Sequence, residues 1–174
     1  MSEPHRLSLE TVSANLPGKL YRVARPGRSL GPDAPVSDAV VREWVKGIAR
    51  RLTGDGSLLV GETIDYVCLL GRKDRGRREI ADFYNARGPK DGDDLITSSK
   101  PSWESYLNEL GDGSVRFVVH HFPTVDGVGL EPAQLRQIQQ LISNLLAQGR
   151  TILVGCSSAI GRTGAVLRGF TCPL

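Results

Sequence analysis

The sequence predicts an α/β protein with a central, mostly parallel sheet flanked by helices and a short helical part at the C-terminus. Segments with strand-like and helix-like hydrophobic periodicity alternate along the chain. Residues 151–154 form an uninterrupted apolar run, which is typical of a strand covered on both faces. The 174 residues suffice for one hydrophobic core, so we expect a single domain over residues 1–174.

The first half of the chain predicts two strands and two helices. Residues 20–23 alternate apolar and polar side chains, as in a short strand, and a loop rich in glycine and proline follows over 25–35. Residues 38–52 carry apolar side chains at helical spacing. Residues 64–70 read as a buried strand, and a further helix is expected over 74–84.

The second half repeats this alternation. A second loop covers residues 86–101, and a weaker helix is predicted over 102–110. Residues 114–122 are rich in β-branched side chains and predict a strand. The clearest helix starts at Pro132, carries one apolar stripe and ends before Gly149.

Composition excludes several classes of protein. The net charge is only +3, which favours anionic partners weakly and makes nucleic-acid binding unlikely, because no aromatic recognition pattern accompanies it. Three cysteines are too few for a disulfide scaffold and favour a reducing, cytoplasmic location. The sequence contains no apolar run of the roughly 18 residues that a membrane helix needs, so we expect no membrane association.

Three loops are expected to meet at one edge of the sheet. They follow Leu70, Phe122 and Val154, the last residues of the three predicted parallel strands. Because ligands of such sheets bind at the carboxyl ends of the strands, we expect the functional site at this edge.

The loop after the last strand carries a cysteine and, after five intervening residues, an arginine. A last helix is expected to start at Gly161 or Arg162. Small loop residues let backbone N–H groups surround an anion, and an arginine can hold a phosphate through two hydrogen bonds. Such positive surroundings favour the thiolate of Cys156, which could attack a bound phosphate. The alternative is a small buried cysteine beside an ordinary turn.

The segment Cys-Ser-Ser-Ala-Ile-Gly-Arg-Thr-Gly over residues 156–164 resembles the signature loop of the cysteine-dependent protein tyrosine and dual-specificity phosphatases. The resemblance implies that Cys156 is the nucleophile, that Arg162 binds the transferring phosphoryl group, and that Thr163 assists departure of the thiolate. It also implies a phosphate-binding loop made of Ser157, Ser158, Ala159, Ile160, Gly161 and Arg162. No metal ion or other cofactor is implied.

Members of this family also carry an aspartate on a mobile loop. Asp126 lies thirty residues before the cysteine, in a loop on the predicted edge. A carboxyl there would protonate the leaving group and then activate water. The alternative is a turn residue, since Asp126 is followed by Gly127. Asp112 is the next candidate, but it precedes a strand and should lie at the opposite edge.

We therefore expect hydrolysis of a phosphorylated protein or another phosphate monoester through a phosphocysteine. The alternative is a weak or inactive pseudophosphatase that binds phosphorylated partners. It is motivated by Gly155 where the family usually has histidine, and by Ala159 where it usually has glycine. The chain also ends twelve residues after Arg162, so we expect a truncated domain, an unusually compact one, or one completed by a partner. Cys68 is either a core residue or the disulfide partner of Cys156.

Overall fold

The computed structural model describes residues 7–12, 16–31, 34–53, 62–72, 78–88, 99–125 and 127–170. In these residues one sheet of five strands forms the centre of the molecule. The strands are β1 (Leu9–Val12), β2 (Lys19–Ala24), β3 (Glu62–Cys68), β4 (Val115–His121) and β5 (Thr151–Cys156).

The strands lie in the order β1-β2-β5-β3-β4. β1 pairs with β2 in the antiparallel sense, and the other three pairings are parallel. β5 lies in the middle of the sheet, and its apolar run is buried on both faces. The predicted fold class, an α/β protein with a mostly parallel central sheet, is confirmed.

Helices pack on both faces of the sheet. The described α-helices are α1 (Asp38–Thr53), α2 (Trp103–Gly111), α3 (Pro132–Ala147) and α4 (Gly161–Leu167). One core cluster joins α1 and α2 to the sheet, and the other joins α3 and α4 to its opposite face. Local chemistry fits these bounds, because the Ser102 hydroxyl accepts a hydrogen bond from the first turn of α2 and Pro132 begins α3. None of the described helices is both long and apolar enough to cross a membrane.

Two features differ from the sequence prediction. β1 was not predicted, and it forms one edge of the sheet by pairing with β2. A helix was expected over residues 74–84. Residues 74–77 lie outside the described residues, and for the described part the prediction is wrong, because residues 79–83 form turns. The reason is that Glu79 bonds back to Gly71 twice, once through its backbone N–H and once through its carboxylate. These bonds hold the segment against the edge of the sheet and interrupt a regular helix.

A buried carboxylate joins three elements on the α3 face of the sheet. Asp65 of β3 is 2% exposed. Its Oδ2 accepts a hydrogen bond from Nε of Arg150, just before β5, at 2.8 Å, and its Oδ1 lies 2.8 Å from Nε2 of His120 on β4. Because a buried charge needs such partners, this cluster ties the three adjacent parallel strands together.

We predict that Asp65→Ala lowers the free energy of unfolding by about 2 kcal/mol, because it removes the shared acceptor of two cationic or polar partners. Denaturant titration measures this loss. The matched control is Glu43→Ala, which removes an exposed pair whose Oε1 lies 3.9 Å from Lys46 Nζ. Its expected effect is below about 0.5 kcal/mol. Equal losses in the two variants would contradict the structural role of Asp65.

Candidate functional site

The three loops predicted to share an edge of the sheet do meet there. The backbone N–H of Leu69 donates to the carbonyl of Gly155 at 2.8 Å, and that of Arg72 donates to the carbonyl of Thr124 at 3.2 Å. Gly71 permits this approach, since a Cβ there would lie 2.6 Å from the Thr124 nitrogen. The loops after β3, β4 and β5 therefore form one connected edge.

Cys156 ends β5 at this edge. It pairs in register with Ala24 of β2, and its carbonyl accepts a hydrogen bond from the Arg25 N–H at 3.1 Å. The residue is 2% exposed and belongs to the core on the α3 and α4 face. Cys156 is thus held on the β2 side, by the end of the strand pairing and by the first residue after β2.

Cys68 lies on the other face of the sheet, in the core under α1 and α2. Its register partner on β5 is Gly155, and consecutive strand residues point to opposite faces. The hypothesis of a disulfide between Cys68 and Cys156 is therefore wrong. Burial raises the pKa of the Cys68 thiol to about 12, so this cysteine stays protonated as a core residue.

Gly155 occupies a position without room for a side chain. A Cβ there would lie 2.8 Å from the carbonyl oxygen of Val23, 3.0 Å from Val23 Cγ1 and 3.2 Å from Tyr66 Cε2. Tyr66 is fully buried, and its ring packs against Trp44 at a centroid distance of 5.9 Å. The absence of histidine before the cysteine is therefore a packing requirement of this core.

Ala159 adopts the left-handed backbone conformation, with φ of 63°. A side chain in that region costs about 1–2 kcal/mol, a cost that glycine would avoid. Arg22 of β2 holds this conformation, because its Nε donates to the Ala159 carbonyl at 3.0 Å and its Nη2 donates to the same oxygen. The strand next to β5 thus fixes the shape of the loop.

Arg162, in the first turn of α4, has a buried carboxylate as its partner. Its Nη1 donates to Glu79 Oε1 at 2.5 Å, and its Nη2 donates to Glu79 Oε2 at 3.0 Å. Nη1 also donates to the carbonyls of Leu69, at 3.2 Å, and Thr124, at 3.3 Å. The arginine of the loop after β5 is therefore oriented by groups from the other two loops.

Glu79 is a site residue that the sequence reasoning missed. The signal available was a single carboxylate directly after a run of arginines, in the loop that follows β3. A carboxylate in such a charged run usually lies on a solvated face. The structure instead buries Glu79 completely against Arg162.

The remaining predicted loop residues fall into buried and exposed groups. Thr163 is fully buried, and its Oγ1 has no hydrogen-bond partner among the described residues. Ser157 is buried, and its Oγ accepts a hydrogen bond from Arg25 Nε at 3.4 Å. Ser158 is half-buried, whereas Ile160 is 72% exposed and Gly161 is exposed. The exposed part of the loop is therefore Ile160 and Gly161, whereas Ser157 and Ala159 are buried.

Arg25 is a second residue that the sequence reasoning missed. Its guanidinium stacks 4.9 Å from the Phe83 ring centroid and donates to the Tyr84 hydroxyl at 3.1 Å. Together with the bonds to Cys156 and Ser157, these contacts join the loop after β2 to the loop after β5. An arginine placed directly after a strand end on the same edge was the only sequence signal for this role.

Asp126 lies outside the described residues, so its role as acid and base stays a prediction. Its neighbour Val125 forms a bridge with Arg72, and Gly127 has a left-handed backbone with φ of 78°. Asp112 ends α2 before the start of β4, at the opposite edge from Cys156. Within the described part of the chain, no three His, Cys, Asp or Glu side chains are grouped as metal ligands.

No protein-family model matches the chain, and no curated protein matches it significantly. Among solved structures, the chain is similar to Tk-PTP in its active form, with 17% identity and a TM-score of 0.43 over 88% of this chain and 68% of that one. It is also similar to kinase associated phosphatase (KAP) carrying serine for its catalytic-site cysteine. That match has 16% identity and a TM-score of 0.49 over 95% of this chain and 72% of that one.

We predict that Gly155→Ala lowers the free energy of unfolding by about 1–3 kcal/mol, because the new Cβ overlaps the backbone of β2. Denaturant titration followed by tryptophan fluorescence measures the effect. Gly129→Ala is the control, since a Cβ there has open space within 4 Å, and its expected change is within about 0.5 kcal/mol. An unchanged midpoint for Gly155→Ala would show that the two strands separate easily at this point.

Proposed function

We propose that this chain hydrolyses phosphate monoesters through a phosphocysteine, as a protein tyrosine or dual-specificity phosphatase. The observation that carries the proposal is the placement of Arg162. Its guanidinium is buried and paired with Glu79 through Nη1 and Nη2, and five residues separate it from Cys156 in the loop that follows β5. A cysteine and a rigidly held arginine on one short loop suit attack on a bound phosphate.

A substrate phosphate would be bound by the loop after β5 and by one side of the Arg162 guanidinium. Glu79 takes the end formed by Nη1 and Nη2, so a phosphate would be held through Nε and Nη2 of Arg162, the geometry of a bidentate pair. The backbone N–H groups of residues 157–161 would hold the remaining phosphate oxygens. Because Arg22 and Arg25 already fix the shape of this loop, little ordering is left for the moment of binding.

The reaction would proceed in two displacements. The Cys156 thiolate attacks phosphorus, an S–P bond forms, and the bond to the leaving oxygen breaks as that oxygen takes a proton from the carboxyl of Asp126. The Asp126 carboxylate then takes a proton from water, which attacks phosphorus and breaks the S–P bond. The buried hydroxyl of Thr163 supports the departing thiolate by donating a hydrogen bond, and inorganic phosphate leaves.

The second candidate function is binding of phosphorylated partners without turnover. The observation that favours it is Ala159, whose left-handed backbone carries a side chain at a cost. In this function Arg162 and the loop would hold the phosphate in the same way, and Cys156 would make no covalent bond. The two functions differ only in whether the sulfur attacks.

We predict that Cys156→Ser lowers hydrolysis of a simple aryl phosphate about a thousandfold or more, because the nucleophile is lost. Steady-state kinetics on the purified variants measure the change. The matched control is Cys68→Ala, which removes the buried, protonated cysteine on the other face of the sheet and should keep the rate. If wild type is no faster than Cys156→Ser while both bind a phosphopeptide, the chain is a phosphate-binding protein.

We also predict that Asp126→Asn lowers kcat about a hundredfold for phosphates with basic leaving groups, because the leaving oxygen then departs unprotonated. The loss should shrink for activated aryl phosphates, whose leaving groups need no proton. Comparing kcat across a leaving-group series tests this pattern. Asp112→Asn, at the opposite edge of the sheet, is the control. A loss that is uniform across the series would assign Asp126 to folding or binding.

A further inference from the structure

Arg22 of β2 contacts the middle of the loop after β5. Its Nε donates to the Ala159 carbonyl at 3.0 Å, and its Nη2 donates to the same oxygen. Both bonds come from a charged group, which makes them stronger than bonds between neutral groups. The Arg22 side chain is half-buried, so water competes with these bonds only in part. One carbonyl of the loop is therefore fixed by two donors from the neighbouring strand.

The pairing of the strands places Arg22 within reach of this loop. Arg22 is the register partner of Val154, two residues before Cys156, and it shares the sheet face covered by α3 and α4. Its Nη2 also approaches α4, since a Cβ added to Gly164 would lie 3.8 Å from this atom. Arg22 therefore reaches past the end of β5 and contacts the loop from the β2 side.

The direction of the Ala159 carbonyl decides where the next backbone N–H points. The C=O and N–H of a trans peptide bond point in opposite directions. The carbonyl faces Arg22 on the β2 side, and β5 lies between β2 and β3, so the Ile160 N–H faces the β3 side. Arg162 is anchored on that side by the carbonyl of Leu69, just after β3. The Ile160 N–H is therefore directed toward the space beside the Arg162 guanidinium.

The backbone N–H groups of residues 157–160 have no acceptor in the part of the chain that the structure describes. Two of these residues, Ser157 and Ala159, are buried. Buried N–H groups in proteins are nearly always paired with protein, water or a ligand. An anion held beside Arg162 would supply the acceptor for these groups, including the Ile160 N–H.

We propose that Arg22 is a positioning residue of the candidate site, which holds the Ala159 carbonyl on the β2 side and thereby directs the Ile160 N–H at the bound phosphate. The inference rests on the proposed function for the identity of the anion. Ala159 makes the contact necessary, because its left-handed φ of 63° is costly for a residue with a Cβ. Without Arg22 the segment relaxes toward conformations that alanine favours, and the Ile160 N–H loses its direction.

The test is a double-mutant cycle on the binding of inorganic phosphate. Arg22→Met keeps an unbranched stem and removes both donors, whereas Ala159→Gly removes the cost of the left-handed conformation. We expect Arg22→Met to weaken phosphate binding about tenfold, as for the loss of one hydrogen bond to a charged group. In the Ala159→Gly background the same substitution should weaken binding less than about threefold, because the conformation no longer depends on Arg22.

The amide signal of Ile160 separates this role from a general loss of structure. In protein labelled with ¹⁵N-isoleucine, saturating phosphate should shift the Ile160 amide proton, and Arg22→Met should reduce that shift. Ile152, within β5, is the internal control and should stay unshifted in both proteins. Lys19→Met is the matched variant, since it removes an exposed positive charge from the start of the same strand, and it should keep the affinity within about twofold.

An unchanged phosphate affinity or an unchanged Ile160 shift in Arg22→Met would overturn the proposal. An equal loss of affinity with and without Ala159→Gly would also overturn it, because Arg22 would then act through its charge alone. Hydrolysis of an aryl phosphate, measured on the same proteins, separates this inference from the proposed function. Hydrolysis with an unchanged affinity in Arg22→Met would refute the role of Arg22 and keep the enzyme. The expected cycle in a chain without hydrolysis would keep the role of Arg22 and refute the catalysis.

Discussion

The buried ion pair between Arg162 and Glu79 is the interaction on which the candidate site depends. The two side chains are 5% and 0% exposed, so both charges have left water and must repay that cost through their contacts. They do so with two mutual hydrogen bonds and with the carbonyls of Leu69 and Thr124. Because the partners come from the loops after β3 and β4, and Arg162 itself follows β5, Arg162 has its place only when all three loops are folded against each other.

The pairing of β5 with its neighbours explains why a glycine precedes Cys156. Register places Gly155 between Val23 of β2 and Cys68 of β3, and the Tyr66 ring fills the space on that face. Burial raises the pKa of Tyr66 well above its usual value, so the ring stays neutral beside the loop. Glycine before the cysteine and tyrosine in the core therefore form one packing arrangement, in which β2, β3 and β5 approach closely under the site.

The features that were predicted correctly are those that depend on a single segment of the chain. The apolar run of β5, the stripe of α3 and the spacing of Cys156 and Arg162 are each contained within one segment, and each has the predicted place. Glu79 could not be found in this way, because it lies 83 residues from Arg162 and only the tertiary fold makes them partners. A different contact of Glu79 accounts for the turns at residues 79–83, where a helix was predicted, since Glu79 bonds to Gly71 rather than to a helical neighbour.

Two residues, Gly155 and Ala159, suggested an inactive protein. The packing around them shows that they differ in how strongly they support that interpretation. Glycine is required at position 155 by the close approach of β2 and Tyr66, so its presence is not evidence that Cys156 is unreactive. Ala159 does carry a conformational cost of about 1–2 kcal/mol, but the two hydrogen bonds from Arg22 to its carbonyl offset a cost of that size. The Arg22 hydrogen bonds thus reduce the weight of Ala159 as an argument for binding without turnover.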